Sequence, residues 1–446
     1  MVVAQRRWLP SVGPNNAVVD VASTRRPPGR VTSPSRYPEL LVNFDPQNDS
    51  PLAPPLAILT CSIGDQLQNN HVAINKLLRE RRERASLVES AIGPSGRKFY
   101  WQNVKYDALN IYPTIPRALV RGKLQYTRPP TSEEIAMASD TVQTFRLLKT
   151  GCNIVRDPQD PKSIIAIIEF TKFSDLTEAD REELNFVSTF LRKTTRFISN
   201  VKSKQRAWGG KMWGIGWRKS SDEDQIAGRY IKAFEAVHAQ AYHDLFSLSG
   251  RVGQIVGQNF KKLAEIPFGS NRDLMAEHGL PSLAALEYGE DLTESDCAPH
   301  LTFTTDGFFN PPHTDDEDVS KYAFVMFLPT HTKDGSLATD EDSYDITSGP
   351  FIFPDHKFGI NFDHQFGVVK MIWQANSYKH CTMPSSHSSR FTHLGMSVQI
   401  NLGLKNACVA YQQGKYNSVA NYFGDHFFYL YRSCLHLSLV IFALLT

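Results

Sequence analysis

From Pro299 onward the chain alternates short runs of apolar residues with loops rich in Gly, Asp, Pro and Ser. The runs are His300–Phe309, Tyr322–Leu328, Gly349–Phe353, Gly367–Trp373 and Leu394–Leu402. Within the last, Met396-Ser-Val-Gln-Ile-Asn401 alternates apolar and polar positions, the period of a half-buried strand. Many short strands separated by turn signals predict a sandwich or jelly roll. Upstream, Asn153-Ile-Val155 and Ile164–Phe170 flank the turn-rich Asp157-Pro-Gln-Asp-Pro161, which predicts a hairpin. Thr177-Glu-Ala-Asp180 opens a predicted helix with a capping-box pattern, running to about Ile198. Apolar residues near the 3.6 period predict more helix from Asp222 to about Leu263. The expected fold class is α+β, a jelly-roll core with buttressing helices on its N-terminal side.

The remaining chain has a different texture. Residues 1–55 read as a Pro/Arg/Ser-rich disordered tail without the basic-then-apolar order of a signal peptide. Residues 56–150 read as a partly helical extension, and the mixed charges of Asn69 to Glu89 suit a solvated helix face. An apolar tail occupies 421–446, but its uninterrupted run, Leu437 to Thr446, is too short to span a bilayer of about 30 Å. A packed terminal helix or an irregular gene end is the expectation there, rather than a membrane anchor. The 446 residues carry 41% hydrophobic side chains, enough for a sizeable core. A net charge of +2 announces no polyanion partner, so any such partner must be argued from local charge. The six cysteines form no C-x-x-C pair, which fits free thiols in a reducing compartment and argues against a Cys-rich zinc module.

Candidate chemistry centres on Phe308-Phe-Asn-Pro-Pro-His313-Thr-Asp315. Residues two apart in a strand share a face, so one imidazole and one carboxylate can reach a single ion. Non-haem Fe(II) oxygenases use two histidines and one carboxylate on one face of the iron and keep the other positions open. Alone, His-x-Asp is a common spacing. The third ligand should come from a later strand, and the nearer candidates are His331, His356, His364, His380, His387 and His393. Between Arg272 and Arg432 stands a single arginine, Arg390, suited to grip the far carboxylate of 2-oxoglutarate with its planar fork. His380 follows the strand Gly367–Trp373 and precedes Arg390 by ten residues, whereas His387 and His393 crowd the arginine and His356 and His364 fall in loop-like sequence. His380 is therefore the favoured third ligand, against a surface-loop histidine, and Arg390 the favoured cosubstrate anchor, against a surface arginine.

These residues resemble the Tet/JBP family of 2-oxoglutarate oxygenases acting on thymine or 5-methylcytosine, and more narrowly its fungal Tet-like set. The likeness is carried by Asn310-Pro-Pro-His-Thr-Asp315 with Asp318, by Gly349-Pro-Phe-Ile-Phe353, Gly359-Ile-Asn-Phe362 and Gly367–Trp373, and by His380-Cys-Thr382, Arg390 and Leu394–Ile400. Trp208-Gly-Gly-Lys-Met-Trp-Gly-Ile-Gly-Trp-Arg-Lys219 adds to it, so that 151–420 is assigned as the oxygenase domain. The resemblance implies a double-stranded β-helix, Fe(II) held by His313, Asp315 and His380, and 2-oxoglutarate bound by Arg390. It also implies that Asp318 contacts the target base, the alternative being a solvated loop acid. Asn310 would orient cosubstrate or substrate, or else cap a turn. At Val398 the chain departs from the family, some members of which place a base-contacting histidine there; His393 does not match that position. That departure bears on base specificity rather than on the oxygenase core.

A nucleic-acid substrate needs electrostatic support. Leu191 to Lys219 holds nine cations and no acid, with Phe197, Trp208, Trp213 and Trp217 interleaved. Lys202, Lys204, Arg206, Lys211, Arg218 and Lys219 are the expected phosphate contacts. The competing reading is a helix end followed by a Gly-Trp packing loop. Three functions remain open on the sequence: a nucleobase-methyl oxidase acting on DNA in the nucleus; an oxygenase of the same fold acting on RNA, protein or a small molecule, there or in the cytoplasm; and a non-enzymatic, transposon-associated nucleic-acid-binding relative. Dioxygen would be the co-reactant of the first two.

Overall fold

The computed structural model describes residues 90–92, 98–120, 122–159, 164–203, 206–220, 226–416 and 423–424. The expectations for 1–55, for the charged stretch 69–89, for Lys204 and for most of 421–446 lie outside these residues.

Seventeen strands are found among them. In chain order they are β1 (Ser90–Ile92), β2 (Lys98–Asn103), β3 (Arg117–Val120), β4 (Lys123–Tyr126), β5 (Arg146–Leu148), β6 (Cys152–Arg156), β7 (Ile164–Lys172), β8 (Gly209–Lys219) and β9 (Ala227–Arg229). There follow β10 (His300–Phe309), β11 (Ala323–His331), β12 (Phe351–Phe353), β13 (Phe358–Ile360), β14 (Gly367–Trp373), β15 (Cys381–Thr382), β16 (Phe391–Gln399) and β17 (Phe423–Gly424). Eleven of them make one sheet in the order β1-β2-β6-β7-β14-β11-β16-β10-β8-β9-β17, and β15-β12-β13-β5 make a second. From β10 the chain passes back and forth between the sheets: β10, β11, β14 and β16 in the large one, β12, β13 and β15 in the small one. That winding is the double-stranded β-helix.

Side-chain alternation sorts the two cores. Val325, Phe327, Val369, Met371 and Trp373 meet Phe351, Phe353, Phe358 and Ile360 of the small sheet and fill the barrel. Their strand neighbours Phe324, Met326, Leu328, Val368, Ile372 and Val398 point the other way. There they meet Leu184, Val187, Phe190 and Leu191 of helix Glu178–Thr194, Tyr242 and Phe246 of helix Ala239–Phe246, and Val252, Ile255, Val256 and Phe260 of helix Ser249–Leu263. Each fully buried side chain of this size contributes about 1.5–3 kcal/mol, so two continuous apolar faces dictate which way the large sheet turns. Among the described residues no helix is long and apolar enough to cross a membrane.

Several elements differ from the sequence reading. Helix Glu178–Thr194 is capped by Thr177, whose hydroxyl accepts the N–H of Asp180 at 3.1 Å, but it stops before Ile198. Phe197 and Ile198 leave the helix to be buried in the outer core. The stretch 222–263 is not one helical region: β9 takes Ala227–Arg229 because Trp217, Arg218 and Lys219 of β8 pair with it. Helix Glu265–Glu277, helix Ser132–Gln143 and the β3–β4 hairpin were not foreseen. Nor is the segment before Gly151 set apart, since β2 pairs with β6 and β5 with β13.

Candidate metal centre

After β10 the chain turns back along the small sheet. Asn310 makes the first tie: its N–H donates to the Thr382 carbonyl at 3.2 Å and its side-chain oxygen accepts the Thr382 N–H at 2.8 Å. His313 and His380 then form a bridge, each N–H donating to the other's carbonyl at 3.0 and 2.9 Å. The Asp315 N–H donates to the Ala375 carbonyl at 2.9 Å. His313 and Asp315 therefore do not share a regular strand face; backbone pairing across to the segment that carries His380 brings the three together.

The result is a compact donor set. His313 Nε2 lies 3.4 Å from one Asp315 oxygen and His380 Nε2 lies 3.6 Å from the other. One ligand atom from each of the three falls within 4.8 Å of the others, and no other such group of histidine, cysteine or acid is found among the described residues. Neighbouring positions around an ion with bonds of about 2.1 Å are about 3 Å apart, so a small contraction would seat one. Each imidazole offers its other nitrogen to a backbone carbonyl, His313 Nδ1 to Pro311 at 2.8 Å and His380 Nδ1 to Tyr378 at 2.9 Å. With the proton on Nδ1, both Nε2 lone pairs face Asp315 and are free for a metal. His380 is 3% exposed and its ring lies 5.5 Å from those of both Phe351 and Trp373, which keep water from that side. Burial opposes charge on Asp315, but hydrogen bonds from His313 and His380 outweigh it and hold the carboxyl well below the usual carboxylate range. Burial likewise opposes charge on His313, and Asp315 overcomes it to raise that imidazole's pKa.

The tie at Asn310 is a positioning device with a measurable consequence. Asn310→Ala is expected to weaken iron binding by about tenfold or more, as loss of a supporting hydrogen bond behind a ligand does. Asn310→Asp, which keeps an acceptor for the Thr382 N–H, should restore most of it; a chelator-competition titration reads both.

Beside the triad stands a polar wall. Asp318, at the end of the acidic turn, bridges to Asn401 just past β16. Its Oδ2 is buried and has no hydrogen-bond partner. Burial, reinforced by the negative charge of Asp315, pushes the Asp318 carboxyl up to about 8, with Arg206 opposing. On β16, Gln399 and Ser397 share the face turned toward the barrel interior, and the Ser397 hydroxyl donates to Gln399 Oε1 at 2.7 Å. Val398, between them, is buried in the outer core. Directly across from Gln399 on β10 is His300, 5% exposed, with Nδ1 unpartnered. Burial, then Arg206, pushes the His300 imidazole down to about 4. Tyr230 closes the row, its ring 6.3 Å from His300 and resting on Gly214, where a Cβ would sit 3.0 Å from it. Buried polar atoms left unsatisfied are costly, and two of them in one row ask for a ligand. Gln399, His300 and Tyr230 escaped the sequence reading, although the alternation in Met396–Asn401 already placed Gln399 on the opposite face from Val398.

Residues 177–385 match the family model of the Tet-like 2OG-Fe(II) oxygenase superfamily. This part of the chain belongs to that superfamily. The protein is a 2-oxoglutarate-dependent dioxygenase that uses Fe(II) and 2-oxoglutarate. Comparison with curated proteins found no match. Among solved structures the oxygenase is similar to NgTET1 in complex with 5mC DNA at 13% identity and a TM-score of 0.35, covering 66% of this chain and 96% of that one. It is also similar to OsALKBH1 (9% identity, TM-score 0.27, 53% of this chain and 96% of that one). A third is a prolyl-4-hydroxylase from Pseudomonas putida (10% identity, TM-score 0.25, 55% of this chain and 95% of that one).

Arg390 lies beyond the matched residues. It is exposed just before β16, its guanidinium 4.8 Å from the Phe391 ring and Nη2 donating to the Asp342 carbonyl at 3.2 Å. It makes no hydrogen bond or ion pair with the triad. The histidine on the interior face of β16 is His393, whose ring centre lies 4.0 Å from that of Phe362. Of the other candidate ligands, His331 lies 3.4 Å from Asp342 and His356 lies 3.6 Å from Asp157.

The expected phosphate contacts are spread out. Lys211 pairs with Asp306 at 2.9 Å at one end of β8, while Arg218, over the Tyr230 ring at 5.5 Å, and Lys219 lie at the other, about 26 Å along the strand from Lys211. Lys202 is exposed, and Arg206 pairs with Glu317 at 3.4 Å beside the metal loop. The interleaved aromatics are packing residues: Phe197, Trp213 and Trp217 are buried, and Trp208 sits edge-on to Tyr112, Tyr126 and Phe309.

Proposed function

We propose that the oxygenase hydroxylates the methyl group of a nucleobase in DNA, 5-methylcytosine or thymine. The observation that carries this reading is the row Asp318–Gln399–His300 beside the triad, with Asp318 Oδ2 and His300 Nδ1 unpartnered. The edge of a base presents donors and acceptors in one plane, and this row presents the complement: an amide that both donates and accepts, a carboxyl, and an imidazole. A base must leave the duplex to meet them. The Asp318 carboxyl, pushed up to about 8, is able to act as a donor as well as an acceptor near neutral pH.

Fe(II) and 2-oxoglutarate, when bound, supply the oxidation: dioxygen and the cosubstrate become succinate, CO2 and the hydroxyl oxygen of the product. His313, Asp315 and His380 would hold the iron on one face and leave its other positions open. Phe351 and Trp373 exclude water around His380. Arg390 is the guanidinium proposed for the far carboxylate of 2-oxoglutarate; its one hydrogen bond, to an exposed carbonyl, costs only about 1 kcal/mol to give up. Lys202, Arg206, Lys211, Arg218 and Lys219 would meet phosphates, and a nuclear location goes with such a substrate.

The test supplies purified protein with Fe(II), 2-oxoglutarate and methylated DNA and analyses the nucleosides by mass spectrometry. Oxidised 5-methylcytosine or thymine is the expected product. Its absence, alongside succinate release on an RNA, a peptide or a small molecule, would sink the proposal. Asp318→Asn and Gln399→Ala should each lower kcat/KM on methylated DNA about 10- to 100-fold, the value of one good base contact, with iron content unchanged.

A further inference from the structure

β3 and β4 form a two-stranded hairpin that joins neither large sheet. Its register sets Leu119 directly against Leu124 and Arg117 against Tyr126, so these four side chains share one face. Leu119 is 74% exposed, Leu124 57% and Val120 43%. Leu119 and Leu124 form an exposed apolar pair next to the turn of a ribbon that is marginal by itself, and Val120 is exposed on its opposite face.

The other end of the ribbon is fixed. Tyr126 is buried, its ring edge-on to Tyr112 at 6.2 Å and Trp208 at 5.4 Å. Trp208 in turn lies 6.4 Å from Phe309, the last residue of the strand that leads to His313. Lys123 Nζ lies 2.9 Å from Asp316, the residue after the ligand Asp315. Lys123 pairs with Val120 at the turn, so the turn end of the hairpin is held beside the metal loop while Leu119 and Leu124 stay in solvent. From Pro116 to Arg128 the chain holds Arg117, Arg121, Lys123 and Arg128 and no acid. Lys123 on Asp316 and Arg206 on Glu317 also neutralise the two acids that follow Asp315. Lys123 and Arg128 are matched by Asp316 and Glu134, so Arg117 brings the positive charge on the leucine face, and a cation next to a neutralised acidic turn suits a polyanion.

We infer that this hairpin is a wedge that enters the base stack of duplex DNA beside the base drawn to the metal, an inference that rests on the substrate reading above. Extruding a base gives up its stacking on both neighbours and leaves an apolar gap. The Leu119–Leu124 pair is shaped to fill it, with Arg117 on the same face to meet a flanking phosphate. Strands of four residues, about 13 Å long, with a two-residue turn give a tip narrow enough to enter between base pairs.

The experiment compares the full chain with its Leu119→Ala/Leu124→Ala variant on a methylated duplex carrying 2-aminopurine next to the methylated base, and on the same strand alone. Both side chains are exposed, so the melting temperature should not move. The wild-type protein should raise 2-aminopurine fluorescence on the duplex as the stack opens. The variant should need about tenfold or more protein to reach the same rise, while binding the single strand, which has no stack to open, as tightly as before. Unchanged duplex opening in the variant, or no opening by the wild type, overturns the inference. So does a variant that keeps duplex opening but loses binding to phosphatidylserine vesicles, which would make the tip a membrane contact. The readout needs no turnover: duplex opening that depends on the leucines without any oxidised base would defeat the substrate reading alone, and oxidised base made equally by the variant would defeat the wedge alone.

Discussion

Replacing Asp315 by alanine is expected to strip iron from the oxygenase and to lower 2-oxoglutarate turnover by about 10³-fold or more. Both imidazoles converge on this carboxylate, at 3.4 and 3.6 Å, and it is the one group of the three that brings a negative charge to a dication. Without it, two neutral imidazoles remain. Asp315→Asn, which keeps the shape and loses the charge, should fail nearly as badly. The backbone bridge between His313 and His380 does not depend on the Asp315 side chain, so the fold should survive. Metal analysis beside succinate release checks the prediction, and a variant that binds iron like the wild type would remove Asp315 from the ligand set. His380→Ala is a poorer test. His380 is buried against Phe351, Phe353 and Trp373, so its removal leaves a cavity as well as an empty coordination position.

Truncating Trp217 to alanine is expected to cost about 3–5 kcal/mol of folding stability, the range for a large aromatic deleted from a core. Trp217 is fully buried among Ala227, Met275, Leu280, Ile400, Leu404 and Cys408. Its indole N–H donates to the Ala285 carbonyl at 2.9 Å, and the Arg229 guanidinium lies 5.7 Å from the ring. A denaturant titration of the variant measures the loss directly. The alternative suggested by its basic surroundings, a platform on which bases stack, has the opposite signature: weaker nucleic-acid binding with stability unchanged.

Those two residues mark how far local sequence carries. The first half of the candidate metal site is written two positions apart, at His313 and Asp315, after a strand whose bounds, His300–Phe309, match the apolar run residue for residue. Gly367–Trp373 is equally plain, because a strand buried on both faces is a continuous apolar run. The Thr177 cap is local chemistry and was readable as such. β8 was not: its glycines, tryptophans and lysines suit a basic loop as well as a strand. Pairing with β10 on one side and β9 on the other turns Trp213 and Trp217 inward and leaves the lysines to solvent. Helix Ser132–Gln143 was missed for a similar reason. Three buried positions, Glu134, Ala138 and Val142, make too thin an apolar stripe to be seen against its charges.

By itself, the sequence determined the jelly-roll strands, a candidate metal carboxylate with a candidate first histidine, and the family's iron and 2-oxoglutarate chemistry, because each is encoded in short stretches whose period or spacing is the signal. Only the tertiary structure decided which polar side chains stand beside the candidate metal triad. The cross-strand pairing of His300 with Gln399 and the turn that carries Asp318 to the end of β16 join residues up to about a hundred positions apart. The same holds for the hairpin standing over the metal loop, rooted by Tyr126 on Trp208 and tied by Lys123 to Asp316. Contacts across such separations depend on strand order and register, which no local pattern of residues records.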